Sequence, residues 1–560
     1  MYELKKILLY INTIKYLKFT QIWHQLWNRL SGTRRKKLMN QVMKLHANHV
    51  VPIKILIPKL DFDHVYLLRF RVEELMNNEV EILHEKHVID LTRWEAASAS
   101  HLWNYNLHYL EFLIPLAVAS QDDKTEQYFN KWCEYVKSWM EYPAGDSFEP
   151  YTISMRIPNL LICMNVLQDK IKGTELEERL LNSIYQQYRY LLATRELALL
   201  ANHYFENLKT ILICSVLFGE EENYRKYFHR FCKQIKEQIL PDGLHYERSI
   251  MYHKIILEDI LRVYIALDNR DDSEKLVPVI ENMAEALASV SKGFHKTPLF
   301  NDAGNNVAKD TDSLLRAVQD VIGYRATTGR TAFETSGYYK LYTGENVLMF
   351  DCGQIGPSYM GGHSHCDCLS FELVRRDKPL FINSGTYQYQ GKLRRFFRST
   401  MAHNTIMIDE REQAELWGEH RAARRLSKIN CESKDQCLLG KFKSFHGDSF
   451  IRKMELMENR VEITDCVIAG DWKKHYARQF FHIASGYSFI IDSERKISVW
   501  DDSKKLAVIN ISAESKWRIH RKGYICSLAQ DFGELERKEV LEIRTPFIKR
   551  IQMQVVLDLL

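Results

Sequence analysis

Four stretches of this sequence gather side chains able to move protons, hold metals or grip anions. In Asn202-His203-Tyr204-Phe205-Glu206-Asn207, expected to follow a helix ending near Leu200, an amide and an imidazole stand side by side, though one histidine at a helix junction serves structure as readily as chemistry. Asp242-Gly243 to Tyr252-His253 sets two tyrosines, two histidines, Glu247 and Arg248 between two helical runs, a density that suits a cavity lining. A cation beside Tyr252, from Arg248 or protonated His253, would lower its pKa and make it a proton-transfer group. In Gly361-Gly362-His363-Ser364-His365-Cys366-Asp367-Cys368, strand alternation would put both histidines and Asp367 on one face, suited to a metal or to a base beside one. The two thiols would point the other way, as small core residues. Finally, Ser399 to Asn404 includes His403 and follows Lys392, Arg394, Arg395 and Arg398, a run that suits an anionic ligand or plain solvation.

The elements that must position these residues change character near residue 340. Before it, apolar residues recur at helical spacing, as in Tyr128, Trp132, Tyr135, Val136 and Trp139, or Tyr224, Phe228, Phe231, Ile235 and Ile239. Further helical runs are expected near 208–218, 253–267 and 273–292, which together predict a large helical array. After about 345 the period becomes two, in runs such as Val347–Phe350, Leu380–Asn383, Met454–Ile463 and Ala507–Ile511, which predicts an antiparallel sandwich. The expected division is a helical arm and linker over 1–75, a helical domain over 76–340 and a sheet domain over 341–560, an α+β multidomain chain.

Composition narrows the function classes. The 560 residues carry 77 Lys/Arg against 72 Asp/Glu, and the first fifty hold ten of the cations with one acid, Glu3. The other residues are therefore slightly acidic, and nucleic acid is not an expected partner. The basic segment reads as a solvated helical arm or as a peripheral contact with an anionic membrane surface. Eleven cysteines without regular spacing suit a reducing compartment, and no export signal or long apolar run is evident. The expected location is cytoplasmic, with association to the inner membrane surface as the variant of that reading.

Taken in order, Asn202-His203, Asp242-Gly243…Glu247-x-Ser249-x-x-Tyr252-His253, Pro298 to Asp302, Gly362-His363-Ser364-His365-x-Asp367, Asn383 to Tyr387 and Ala402-His403-Asn404-Thr405 resemble the heparinase II/III-like polysaccharide lyases. The resemblance implies an incomplete (α/α) toroid followed by an antiparallel β-sandwich, with the active site between them. It implies β-elimination on a uronic-acid polysaccharide such as a glycosaminoglycan or alginate. Asn202 and His203 would neutralise the uronate carboxylate while Tyr252 and His363 transfer protons. Arg156, Glu206, Glu247, His253 and Arg398 would complete the substrate site, with Glu206 and His253 orienting the others. Several relatives hold a structural zinc, whose positions here would be His365, Asn383 and His403. An amide stands where a carboxylate is usual, which weakens zinc binding, and no cofactor is expected to be required. The competing readings are a uronate C5-epimerase, a glycoside hydrolase built on Glu206, Glu247 or Asp302, and a non-catalytic glycan-binding protein of surface polysaccharide assembly.

Overall fold

The computed structural model describes every residue except Met1, Ser31, Pro143, Ala144, Asn269 and Ala513. Three helices, Tyr2–Ile14, Phe19–Leu30 and Gly32–Val42, precede the main body. An incomplete (α/α) toroid follows, its principal helices being Gln127–Glu141, Pro150–Val166, Glu175–Thr194, Ala201–Leu217, Glu221–Gln238, Ile250–Leu267, Val277–Ser291 and Thr311–Ile322. The stripe from Tyr128 to Trp139 lies on the first of these, with Trp132, Tyr135, Val136 and Trp139 buried. Ala201–Leu217 sits innermost: every residue but His203 is buried. A helix apolar on nearly all sides must be surrounded by others, and it packs on Pro150–Val166, Glu221–Gln238 and Ile250–Leu267.

The sheet half begins at Ala332–Phe333, the first strand of a five-stranded antiparallel sheet that ends at Lys378–Phe381. An eight-stranded and a four-stranded sheet, again antiparallel, follow, with two-stranded pairs at Leu416–Trp417/Arg421–Ala422 and Ser527–Leu528/Glu536–Arg537. Ser449–Met457 alternates half-buried and buried positions along its length, the mark of one face on a core and one toward solvent. Phe350, Phe371, Phe381, Ile406, Phe481, Ile463 and Val555 share one apolar core that joins the sheets face to face.

Three local expectations change. Asn202 and His203 do not trail a helix but occupy the first turn of Ala201–Leu217, because the preceding helix stops at Thr194. Gly361–Cys368 is a loop, not a strand, so period-two alternation does not govern its side chains. The run Met454–Ile463 is a hairpin, Ser449–Met457 with Arg460–Ile468, turning at Glu458-Asn459.

Candidate active site between toroid and sandwich

Two helix starts and two loops converge on a cavity of about 720 Å³ between the halves. The toroid supplies Asn202, His203 and Glu206 from the first turns of Ala201–Leu217, and Tyr252 from the first turn of Ile250–Leu267. Ser249 caps that second helix by accepting from the Tyr252 backbone N–H, which fixes where the phenol emerges. The sheet half supplies His363 and Tyr389, both from loops. Left-handed, non-glycine backbone occurs at Leu200 and Ala201, at Arg248 and at Asn301, each within a few residues of a site side chain. Such conformations persist where packing over-determines them.

The Tyr252 and Tyr389 hydroxyls lie 2.7 Å apart. The His363 ring lies 4.3 Å from the Tyr252 ring and 5.9 Å from that of Tyr389, centroid to centroid. Asp302 anchors this group from beneath. Its carboxylate, fully buried, contacts His363 Nδ1 and His365 Nε2, each at 2.8 Å, and is gripped bidentately by Arg394, with Nη2 at 2.8 Å. Burial opposes its charge, but the Arg394 guanidinium and the two histidines hold the Asp302 pKa well below the usual carboxylate range. With Nδ1–H donated to Asp302, His363 presents Nε2 as the free lone pair. Gly385, at φ +74°, begins the loop that carries Tyr389; a Cβ there would collide with the Ala529 carbonyl, so the close pairing of that loop requires glycine.

On the toroid side, His203 Nδ1 is 2.9 Å from Glu196 Oε1, and its ring lies 4.4 Å from that of Tyr151. Burial lowers the His203 pKa, but Glu196, with Glu247 and Glu206 behind it, offsets this and the net shift is upward. Glu247 spans the halves: Oε1 accepts from the Asn202 backbone N–H (3.3 Å), while Oε2 lies 3.9 Å from His363 Nε2. Burial raises its pKa.

Not every expected residue is here. Arg156 is buried among backbone and side-chain acceptors, donating to Gln187 Oε1, the His108 carbonyl and the Ser147 carbonyl, over the Trp139 ring. Its charge is spent on packing the toroid. Arg398 likewise gives its guanidinium to the Ser364, Glu419 and Gly361 carbonyls, so it shapes the His363 loop instead of facing a ligand. His253 points away from the cavity, with Nε2 on the Met283 carbonyl, and burial lowers its pKa to about 4. Glu206 lines the cavity but is held in an ion pair with Lys209. Neither expected cation, Arg248 or His253, activates Tyr252. Arg248 turns to the carbonyls of Ser336, Tyr246 and Gly356, and burial pushes the Tyr252 phenol well above its ordinary value.

Tyr389, Glu196 and the linking role of Asp302 were missed in the sequence. Asp302 and Arg394 were visible as residue types, but they are 92 positions apart and nothing local marks them as partners. A further group holds His365, Asp367 and His403, whose donor atoms lie within 4.8 Å of one another, all buried. His365 Nδ1 has no hydrogen-bond partner there. Asn383 turns its Oδ1 to Ser370, His403 and the Asn404 N–H, and the carboxylate in this group belongs to Asp367. His365 Nδ1 and the Asp367 carboxylate could take a zinc-sized cation, with His403 joining them by giving up the Asn383 amide or the Phe397 carbonyl.

Comparison with known proteins agrees with this architecture. The family model described as Heparinase II/III N-terminus matches residues 65–325, and the one described as Heparinase II/III-like, C-terminal, matches 325–542. Heparin-sulfate lyases of Pedobacter heparinus and Bacteroides thetaiotaomicron are each 24% identical to this chain, over 349 and 381 residues. Those alignments cover 54% and 56% of this chain and 52% and 53% of the relatives, so the chain spans about half their length. Among solved structures, a heparinase III superposes with a TM-score of 0.72 at 15% identity, covering 94% of this chain and 89% of that one. A heparan sulfate lyase mutant from Pedobacter heparinus gives 0.62 at 16% identity, covering 94% and 87%. With two adjoining family models spanning the toroid, the cavity and most of the sandwich, this chain belongs to the heparinase II/III-like family.

Proposed function

We propose that this protein is a polysaccharide lyase that cleaves an acidic polysaccharide at a uronic acid by β-elimination. The observation that carries the reading is the meeting of Tyr252 and His363, rings 4.3 Å apart, in one cavity with Asn202 and His203. Elimination needs three services. The uronate carboxylate must be neutralised so that the C5 proton becomes acidic, a base must take that proton, and an acid must protonate the leaving O4. Asn202 and His203 stand at a helix N-terminus, where amide dipoles and a histidine charged through Glu196 favour an anion. His363, held by Asp302, has Nε2 free as base. Tyr252, kept protonated by burial, is the acid that gives its proton to O4, and the phenolate left behind stands 2.7 Å from the Tyr389 hydroxyl.

The charges lining the cavity bear on the substrate. Lys209 pairs with Glu206 and Asp259, Arg262 with Asp61 and Glu258, and Arg69 with Glu111. Lys309 lies over the Tyr66 ring, its pKa lowered by burial to about 8. Cations already neutralised leave few partners for sulfates, while Tyr105, Tyr109, Tyr151 and Tyr389 offer faces to sugar rings. This supports a uronate chain of low sulfation. The hydrolase reading loses two of its three carboxylates, because Asp302 is committed to Arg394 and Glu206 to Lys209, which leaves Glu247 without a second carboxylate to form the required pair.

For zinc, His365, Asp367 and His403 are the residues that would hold it. Bound there, it would supply cross-linking of the His363 loop to the segment preceding Ile406–Ile408; proton transfer remains with Tyr252 and His363.

The test is ultraviolet absorbance of the conjugated, unsaturated uronate, followed on heparosan, heparan sulfate, hyaluronan, alginate and glucuronan. A rise with wild type that Tyr252→Phe and His363→Ala both lose supports the lyase. A flat trace with solvent deuterium incorporated at C5 would replace it with the epimerase.

A further inference from the structure

The first two helices carry an apolar face that the rest of the chain leaves uncovered. In Tyr2–Ile14, Ile7, Leu8, Ile11 and Ile14 are between 48% and 58% exposed. In Phe19–Leu30, Phe19, Trp23, Leu26 and Trp27 are between 43% and 78% exposed. The spacings, i, i+1, i+4, i+7 and i, i+4, i+7, i+8, each describe one side of a helix. This is not a frayed terminus. The other side of each helix is docked: Trp417 Nε1 donates to Thr13 Oγ1 at 2.9 Å, and Gln21 Nε2 donates to the Leu199 carbonyl at 3.1 Å. Lys18 pairs with Glu237 and lies over the Tyr359 ring. The arm is thus fastened to toroid and sheet half together, with its aliphatic and indole side chains turned outward.

Cations surround that face. Lys6, Lys15, Arg29, Arg34, Lys36 and Lys37 are exposed, and Arg34 sits 4.6 Å over the Trp27 ring. The only acid in the first fifty residues is Glu3.

We propose that this face binds an anionic lipid bilayer, the two helices lying in the plane of the headgroups. Apolar and indole side chains enter the acyl boundary while Lys and Arg meet the phosphates. A second copy of the chain fits less well, since a symmetric contact would press two surfaces of like charge together. Among the described residues no helix is long and apolar enough to cross a membrane, so the arm lies on the bilayer. Leu199, which receives Gln21, also lines the catalytic cavity, as does Met360 beside Tyr359. Lipid binding would therefore hold the cavity next to the membrane surface, where a polysaccharide anchored to or emerging from that surface is within reach.

The experiment is sedimentation of the full-length protein with vesicles of phosphatidylcholine alone and of phosphatidylcholine with phosphatidylglycerol. The expected result is binding about tenfold or more tighter to the anionic vesicles, weakening with added salt. An Ile11→Glu/Trp23→Glu/Leu26→Glu variant, altered only at exposed positions and checked by its unchanged melting curve, should lose that binding. Equal or absent binding to both vesicle types would overturn the proposal, as would full binding by the folded variant. A concentration-dependent dimer, seen by sedimentation velocity and lost in the variant, would assign the face to a second copy instead. None of these outcomes touches the lyase reading, which is tested on soluble substrate.

Discussion

Tyr252, carried by a toroid helix, and Tyr389, carried by a loop of the sheet half, share a 2.7 Å contact between their hydroxyls across the interface of the two halves. On the proposed mechanism, proton transfer at Tyr252 is thereby tied to how the halves are docked. Tyr252→Phe should reduce turnover by about 10²–10⁴-fold, the range for loss of a positioned acid. Tyr389→Phe should cost less, on the order of tenfold, and displace the alkaline limb of the pH–rate profile downward, because Tyr389 adds to the burial that holds the Tyr252 phenol protonated. Steady-state kinetics across pH check both; an unchanged profile for Tyr389→Phe would remove Tyr389 from the mechanism.

His203 gives a pH dependence with a definite sign. Its folded pKa is raised above 6.5 by Glu196, against the opposing effect of burial. The pair's contribution to stability is thus complete below about pH 6.5 and is lost as pH rises through the higher folded value. Substrate grip should follow the same charge, so KM rises with pH over that window. Glu196→Gln should move the rise in KM to lower pH and lower kcat over the same window, since the His203 charge also acidifies C5, measured by kinetics at several pH values.

Asp302 joins Arg394, His363 and His365 at one buried point. Its folded pKa lies well below 3.8, so its stabilisation holds above about pH 4 and fades as pH falls through the folded value. Asp302→Asn should destabilise the protein by about 3–5 kcal/mol, since the Arg394 charge is left buried without its partner. Urea unfolding measures this, and the acid-side loss of stability should flatten in the variant.

Arg156 separates structure from substrate binding. Arg156→Ala should lower stability by about 3 kcal/mol, leaving the Gln187, His108 and Ser147 acceptors unpaired. The folded fraction should keep the wild-type KM. A large rise in KM without loss of stability would return Arg156 to the substrate site.

The group His365, Asp367 and His403 should retain about one zinc per chain after dialysis. Metal analysis reads the occupancy, and chelation should lower the melting temperature by several degrees in wild type but not in Asp367→Asn.

The sequence by itself determined the order of the architecture, helices then sheets, because helical and strand periodicities are local properties of the chain. It also marked Asn202, His203, Tyr252 and His363, since an ordered series of short motifs survives without knowledge of contacts. The tertiary structure alone decided which charges are free. Arg156 and Arg398 read as anion binders while their partners are unknown, but in the fold Arg156 is used up on two backbone carbonyls and a glutamine, and Arg398 on three backbone carbonyls. The same holds for Tyr389, for the Asp302–Arg394 pair and for the buried group of His365, Asp367 and His403: these are relations between residues distant in sequence, created only when loops close over the toroid. Periodicity reports which side of an element faces inward. It carries no record of which buried charge meets which, and here that pairing sets the chemistry of the cavity.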